Sequence, residues 1–251
     1  MTDPRRIEIP FGVSYDGDTV SIPLTASYRN HCFISGAPGS GKSTLLKVMI
    51  ESIAGSSGQS PAVVWTDYFS VNHEKIRHDR ILDVHLPMDL HPEERMRVLS
   101  ERLYEEAQNR IRILARENAP SYRSVVSMPT IIAVIDDLSS FDRSDSRDTV
   151  ANRLLSVLRM SHAIGISLVC SSQLPVLSVR GMTPAIADLF NIRISLRAPY
   201  AYILEALDFR RSEATAEEIG AMKRLSSGYP GDFVCRNRYH AGSFAAGRVK
   251  P

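Results

Sequence analysis

The chain has 251 residues, 43% of them hydrophobic and 23% charged, with a formal net charge of +2. These fractions are ordinary for a globular protein and exclude a disordered or low-complexity chain; the length suffices for one large domain or two small ones. The charge argues neither for nor against a polyanionic partner. The three cysteines, Cys32, Cys170 and Cys235, form no C-x-x-C pair. Cys32 and Cys170 stand in apolar, strand-like runs, so they read as buried thiols of a cytosolic protein, not as disulfides or metal ligands. No apolar stretch follows Met1–Arg6 as a signal peptide requires, and none approaches a membrane span. The expectation is a cytoplasmic protein that meets a membrane only through a partner.

In chain order, Ile7–Val13 alternates like an edge strand, which Pro10 suits, and Asp16-Gly17-Asp18 is a turn signal. Thr19–Leu24 reads as the returning strand of a β-hairpin. Asn30–Ser35 is a short β-prone run. It leads into Gly36, Ala37, Pro38, Gly39, Ser40, Gly41, Lys42 and Ser43, which fit the phosphate-binding pattern G-x-x-x-x-G-K-[ST] at every fixed position. Gly36, Gly39 and Gly41 are expected to take positive φ and bring N–H groups to an anion. Lys42 would reach the β- and γ-phosphates, and the Ser43 hydroxyl would ligate Mg²⁺, with Thr44 behind it. Apolar residues from Leu45 to Ile50 then recur at helical spacing. Strand, glycine loop and helix together place a nucleotide triphosphate such as ATP at a helix N-terminus.

Ala62–Thr66 is a compact apolar strand with Asp67 at its end. Ser70–Arg80 is polar, and Ile81–His85 reads as a further short strand. A long helix opens near His91 and Pro92 and runs through Met96, Leu99, Leu103, Ala107, Ile111 and Leu114, ending before Pro120. Pro129–Asp137 is an apolar run that ends in acids. That is a buried parallel strand delivering carboxylates to a sheet's C-terminal edge. Asp136 would hold Mg²⁺, directly or through water, and Asp137 would polarise the attacking water. Phe141–Asp148 is a charged loop, and Val150–Met160 an amphipathic helix. Gly165–Gln173 is another buried strand, placing Gln173 where its amide can sense a γ-phosphate or orient water. Ile192–Arg197 alternates as a strand with Arg193 and Arg197 on one face. Short helices follow at Tyr200–Leu207 and Thr215–Leu225, the second opened by the capping box Thr215–Glu218. Tyr229–Cys235 is a turn into a closing strand, and the basic end beyond it reads as solvated. Alternation of strands and helices predicts one α/β domain with a mostly parallel central sheet flanked by helices. Its parts are the N-terminal hairpin at 1–28, the core at 29–235 and the basic tail at 236–251.

Several of these segments together resemble the FtsK/SpoIIIE ATPases, which include DNA translocases, conjugative DNA pumps and the EccC ATPases of type VII secretion. The resemblance runs from about Ile9 to Val234. It is carried by Ile9–Val13 with Asp16-Gly17, by Asn30–Leu46, by Glu106–Arg110 at the place of a Glu-Met-x-x-Arg helix, and by Ile135-Asp136-Asp137. The most specific part is Gly165–Pro175, similar to the family's Gly-Ile-His-Leu-x-x-Ala-Thr-Gln-x-Pro signature. Asn191–Leu196 and Gly231–Val234 follow in the family's order. The resemblance implies a RecA-like P-loop NTPase domain and an ATP- and Mg²⁺-dependent motor working as a ring, usually a hexamer, with an arginine finger acting in trans. Arg110 and Arg193 are the candidates for that finger. It further implies double-stranded DNA as cargo, or alternatively a secreted protein; Arg143, Arg147 and Arg180 are candidate pore elements. The family usually has Asp-Glu where this chain has Asp136-Asp137. The carboxylate is one methylene shorter, so the alternatives of slow hydrolysis and of a nucleotide-binding scaffold stay open.

Overall fold

The computed structural model describes residues 7–24, 31–55, 62–66, 81–83, 92–138, 150–179, 182–209, 213–238 and 244–250. Asp67, the polar stretch Ser70–Arg80, Arg143, Arg147 and Arg180 lie outside the described residues. In chain order the strands are β1 (Glu8–Ser14), β2 (Thr19–Pro23), β3 (Cys32–Ser35), β4 (Ala62–Thr66), β5 (Ile81–Asp83), β6 (Thr130–Ile135), β7 (Ile166–Ser172), β8 (Ile192–Leu196), β9 (Asp232–Asn237) and β10 (Phe244–Val249). The helices are α1 (Lys42–Gly55), α2 (Pro92–Arg116), α3 (Val150–Ile164), α4 (Pro184–Ala187), α5 (Tyr200–Ala206) and α6 (Ala216–Ser226).

The strands form a single 10-stranded sheet in the order β2-β1-β10-β9-β8-β3-β7-β6-β4-β5. From β8 to β5 all pairings are parallel; from β2 to β8 all are antiparallel. The sheet is therefore mixed, which corrects the expectation of a mostly parallel one. The cause lies in the connection after β8. A single crossover helix returns the chain to the far edge of a sheet and makes the next strand parallel. Here α5 and α6 pack on each other and return the chain to the edge it left, so β9 runs back against β8.

Strand alternation sorts the core onto two faces. Ile131, Ala133 and Ile135 of β6 join α2 and α3 in one cluster, while Ile132 and Val134 join α1 and the hairpin in the other. A smaller cluster puts α5 and α6 against Val234 of β9. The helix opened by Thr215 carries its capping box: the Glu218 N–H donates to Thr215 Oγ1 at 3.2 Å and the Thr215 N–H to Glu218 Oε2 at 2.7 Å. The three cysteines are buried and free.

Two terminal expectations change. The hairpin forms, but β2 is the edge and β1 is internal. Pro10 is tolerated because β10 pairs β1 only at Gly12–Ser14, and the β1–β2 register shifts between Pro10 and Gly12. The basic end is not a solvated tail over its described part. Phe244–Val249 is β10, inserted between β1 and β9, with Gly247 and Val249 buried. Between Phe244 and Val249 it carries only Ala245, Ala246, Gly247 and Arg248, which give little hydrophobic signal in sequence.

Candidate functional site

β3, β6 and β7 are parallel neighbours whose C-terminal ends meet at one rim. Ser35 lies beside Ser172, and Ile135 beside Cys170. This register brings the loop after β3, the acids after β6 and the polar end of β7 together. A crevice outside the carboxyl ends of parallel strands is the usual ligand position in such sheets.

The loop Gly36–Gly41 is tied at both ends. The Gly36 N–H donates to the Ser172 carbonyl at 3.2 Å, the Ala37 N–H to the Arg197 carbonyl at 2.9 Å and the Ser40 N–H to the Ala37 carbonyl at 3.1 Å. Pro38 and Gly39 form its exposed tip, and Ser40 is buried. Gly39 and Gly41 have φ of 70° and 101°. Gly36 is not in that region, contrary to expectation. It is glycine for space: a Cβ there would lie 2.5 Å from Ser40 Oγ and 2.9 Å from Leu196 Cβ. Gly41 needs both its conformation and its smallness, because a Cβ would sit 3.1 Å from the Gly231 nitrogen.

Helix α1 starts at Lys42 with no acidic residue in its first turn, so its N-terminal N–H groups and dipole favour an anion. The Lys42 ammonium donates to the Gly36 carbonyl at 2.7 Å and the Ala37 carbonyl at 3.1 Å. Burial pushes its pKa below the ordinary lysine value; the Asp137 and Asp136 carboxylates oppose this. Lys42 and Ser43 are half-buried, and Thr44 is exposed.

Ser43 Oγ donates to Asp136 Oδ2 at 3.2 Å across a sequence separation of 93. Asp136 Oδ1 accepts from Ser171 Oγ, which in turn accepts from the Asp137 N–H at 3.0 Å. Asp137 has φ of 59°, a left-handed conformation that aspartate tolerates better than most residues and that recurs at functional sites. Its Oδ2 accepts from Gln173 Nε2 at 3.1 Å. The structure thus brings Lys42, Ser43, Asp136, Asp137 and Gln173 to one rim. Ser171 is a partner that sequence reasoning missed, although it belongs to the Ser-Ser-Gln end of β7. Its relevance depends on β7 pairing directly with β6.

Arg110 and Arg193 are not brought to this rim. Arg110 is 3% exposed. It donates from Nε to Glu106 Oε1 at 2.8 Å, and from one terminal nitrogen to the carbonyls of Pro129 at 2.8 Å and Ile164 at 2.7 Å. Those carbonyls precede β6 and β7, so the guanidinium clamps the chain at the edge opposite the phosphate loop. Arg193 is 2% exposed and donates to the carbonyls of Phe190, Ala206 and Ala187. Burial pulls its pKa down to about 10, with Arg238 adding and Asp208 opposing. Both guanidinium groups are thus buried and bonded within their own chain, which does not favour a trans arginine finger at either position. The sequence missed this because an Arg on an amphipathic helix or an alternating strand is assigned to the solvent side by default.

The donor set suits a hard divalent cation. Ser43 and Asp136 offer a hydroxyl and a carboxylate oxygen side by side, and Mg²⁺ in phosphate sites needs only one or two protein oxygens. Among the described residues no cluster of three or more His, Cys, Asp or Glu could hold a metal without such help.

A phosphate loop at the carboxyl rim, followed by paired acids on the strand two places away, defines an α/β protein of the P-loop class. Residues 1–173 match the profile of the FtsK/SpoIIIE family, and the chain belongs to that family. Among solved structures, the cytoplasmic domain of the type VII secretion ATPase EccC of Thermomonospora curvata superposes with a TM-score of 0.70 at 19% identity, covering 99% of this chain and 30% of that one. The pCW3 conjugation coupling protein TcpA gives 0.65 at 18% identity, covering 99% and 66%. The DNA-packaging ATPase B204 of Sulfolobus Turreted Icosahedral Virus gives 0.55 at 13%, covering 89% and 99%. At these identities the likeness is one of fold, and the chain spans less than a third of the EccC domain. No curated protein matches the chain.

Proposed function

We propose that this protein binds ATP with Mg²⁺ and hydrolyses it as one subunit of a homo-oligomeric ring, a hexamer by family habit, that moves double-stranded DNA. The observation that carries the nucleotide reading is the Ser43–Asp136 contact at 3.2 Å beside the Lys42 ammonium. Lys42 would exchange its two carbonyl partners for β- and γ-phosphate oxygens, and the α1 N–H groups would take the remaining charge. Ser43 and Asp136 would hold Mg²⁺, which when bound neutralises charge developing on the phosphoryl oxygens. Ser171 keeps the Asp136 carboxylate turned toward Ser43. Asp137, steadied by Gln173, would orient the attacking water, and the Gln173 amide would report the γ-phosphate. On this reading residues 1–251 act as a single ATPase domain, with the hairpin and β10 extending its sheet.

DNA as cargo is supported by the likeness to a conjugation coupling protein and a DNA-packaging ATPase. A protein cargo is the second reading, supported by the likeness to EccC ATPases in complex with a signal sequence peptide. The short Asp137 side chain, bonded to Gln173, also favours slow turnover. One assay series tests the set. ATPase activity should rise with double-stranded DNA and fall with salt, as phosphate contacts demand. Stimulation by a secretion-signal peptide alone would move the assignment to the protein cargo. Lys42→Ala should weaken ATP binding on the order of 100-fold; unchanged binding would remove the nucleotide reading altogether.

A further inference from the structure

The phosphate loop is braced by a turn that lies outside its motif. The Gly231 N–H donates to the Ser40 carbonyl at 2.9 Å, and the Val249 N–H of β10 donates to the Gly231 carbonyl at 2.8 Å. With Gly41 in close approach on the same side, loop and turn touch backbone to backbone. The turn is closed by Asp232, which is 5% exposed. One carboxylate oxygen accepts from the Tyr229 N–H at 2.9 Å, the other from Arg248 Nε at 2.8 Å. The Arg248 guanidinium also lies 5.8 Å from the centre of the exposed Tyr229 ring.

A buried carboxylate oxygen left without a partner is costly, and here the partners are the turn it closes and the strand beside it. The path from Arg248 through Asp232 and Gly231 to Ser40 is therefore continuous. We propose that Asp232 and Arg248 form a latch by which the C-terminal strand fixes the shape of the phosphate loop. On the nucleotide reading above, which this part rests on, both are positioning residues for the triphosphate. The loop's N–H groups converge on one anion only if its backbone is held beforehand, and a loop that must be ordered on binding gives up affinity. β10 also pairs with β1, so the latch ties the hairpin to the phosphate loop.

The test compares wild type with Asp232→Asn, Arg248→Met and Arg248→Lys by amide hydrogen exchange without nucleotide and by binding of fluorescent ATP. In Asp232→Asn and Arg248→Met, the amides of Gly36, Ala37, Gly39, Ser40, Gly41, Tyr229 and Gly231 should exchange about tenfold faster while those of β6 stay as in wild type, and the ATP Kd should rise about tenfold. Arg248→Lys keeps the charge and should fall between. A merely structural loss would accelerate β6 as well and would not be rescued by lysine, and that result overturns the latch. Wild-type exchange in the loop of Asp232→Asn also overturns it, whatever ATP does. Faster loop exchange in a protein whose wild type binds no ATP upholds the latch and removes the nucleotide reading instead.

Discussion

At the scale of single residues, the site depends on side chains that are neighbours only because two parallel strands end together. Asp136 was legible from its strand; that its carboxylate is shared between Ser43 and Ser171 was not. On the proposed reading, turnover depends on Asp137. One further methylene brings a carboxylate closer to the space above Lys42, so Asp137→Glu should raise kcat severalfold in a steady-state assay with KM for ATP little changed. A lower or equal kcat would show that reach does not limit hydrolysis. Arg110 shows the opposite relation between sequence and role. Arg110→Leu would leave the carbonyls of Pro129 and Ile164 without this donor, each worth about 1–3 kcal/mol when unsatisfied. Urea unfolding should therefore report a loss of roughly 2–4 kcal/mol. Mixing this variant with Lys42→Ala subunits should not restore activity, as it would for a residue acting in trans.

At the scale of elements, the parallel half of the sheet makes an acid-sensitive joint. His31, just before β3, accepts the Leu168 N–H of β7 on Nδ1 at 3.1 Å. Burial pushes its pKa from 6.5 down to about 3, against a backbone hydrogen bond at Leu158 that favours the charged form. In the folded protein the ring stays neutral where the unfolded chain takes up a proton. Its contribution is thus complete above pH 6.5 and is lost as pH falls from there toward 3, with a limiting slope of about 1.4 kcal/mol per pH unit. His31→Gln keeps an acceptor for Leu168 without a titrating group. Its stability, measured by urea unfolding at pH 7, 6 and 5, should decline less steeply than that of wild type. Equal slopes would assign the acid limb to other groups. The longer elements followed their sequence signals closely: α2 begins at Pro92 and α6 behind Thr215, because capping residues and apolar spacing are local. α4 has only Pro184–Ala187 behind a Thr183 cap, too short for an apolar period to show in sequence.

At the scale of the whole molecule, the C-terminal strand closes a gap between hairpin and core. Ending the chain after residue 238 should expose the facing edges of β1 and β9, and such edges pair with other chains. The shortened protein is expected to aggregate at concentrations where the full chain stays monodisperse by light scattering; a monodisperse, folded product would show that β10 is dispensable. Among the described residues no helix is long and apolar enough to cross a membrane.

The sequence by itself determined the phosphate loop, the acids after β6, Gln173 after β7 and the family, because each is written in contiguous residues whose chemistry is local. Only the tertiary structure decided that the sheet is mixed, that Arg110 and Arg193 are interior clamps, that Ser171 bonds Asp136, and that the Asp232–Arg248 pair lies on the turn bonded to the phosphate loop. Those facts depend on which strands lie side by side and which way each runs. Strand order is set by long-range burial and by the geometry of the connections, and no short stretch of sequence records it.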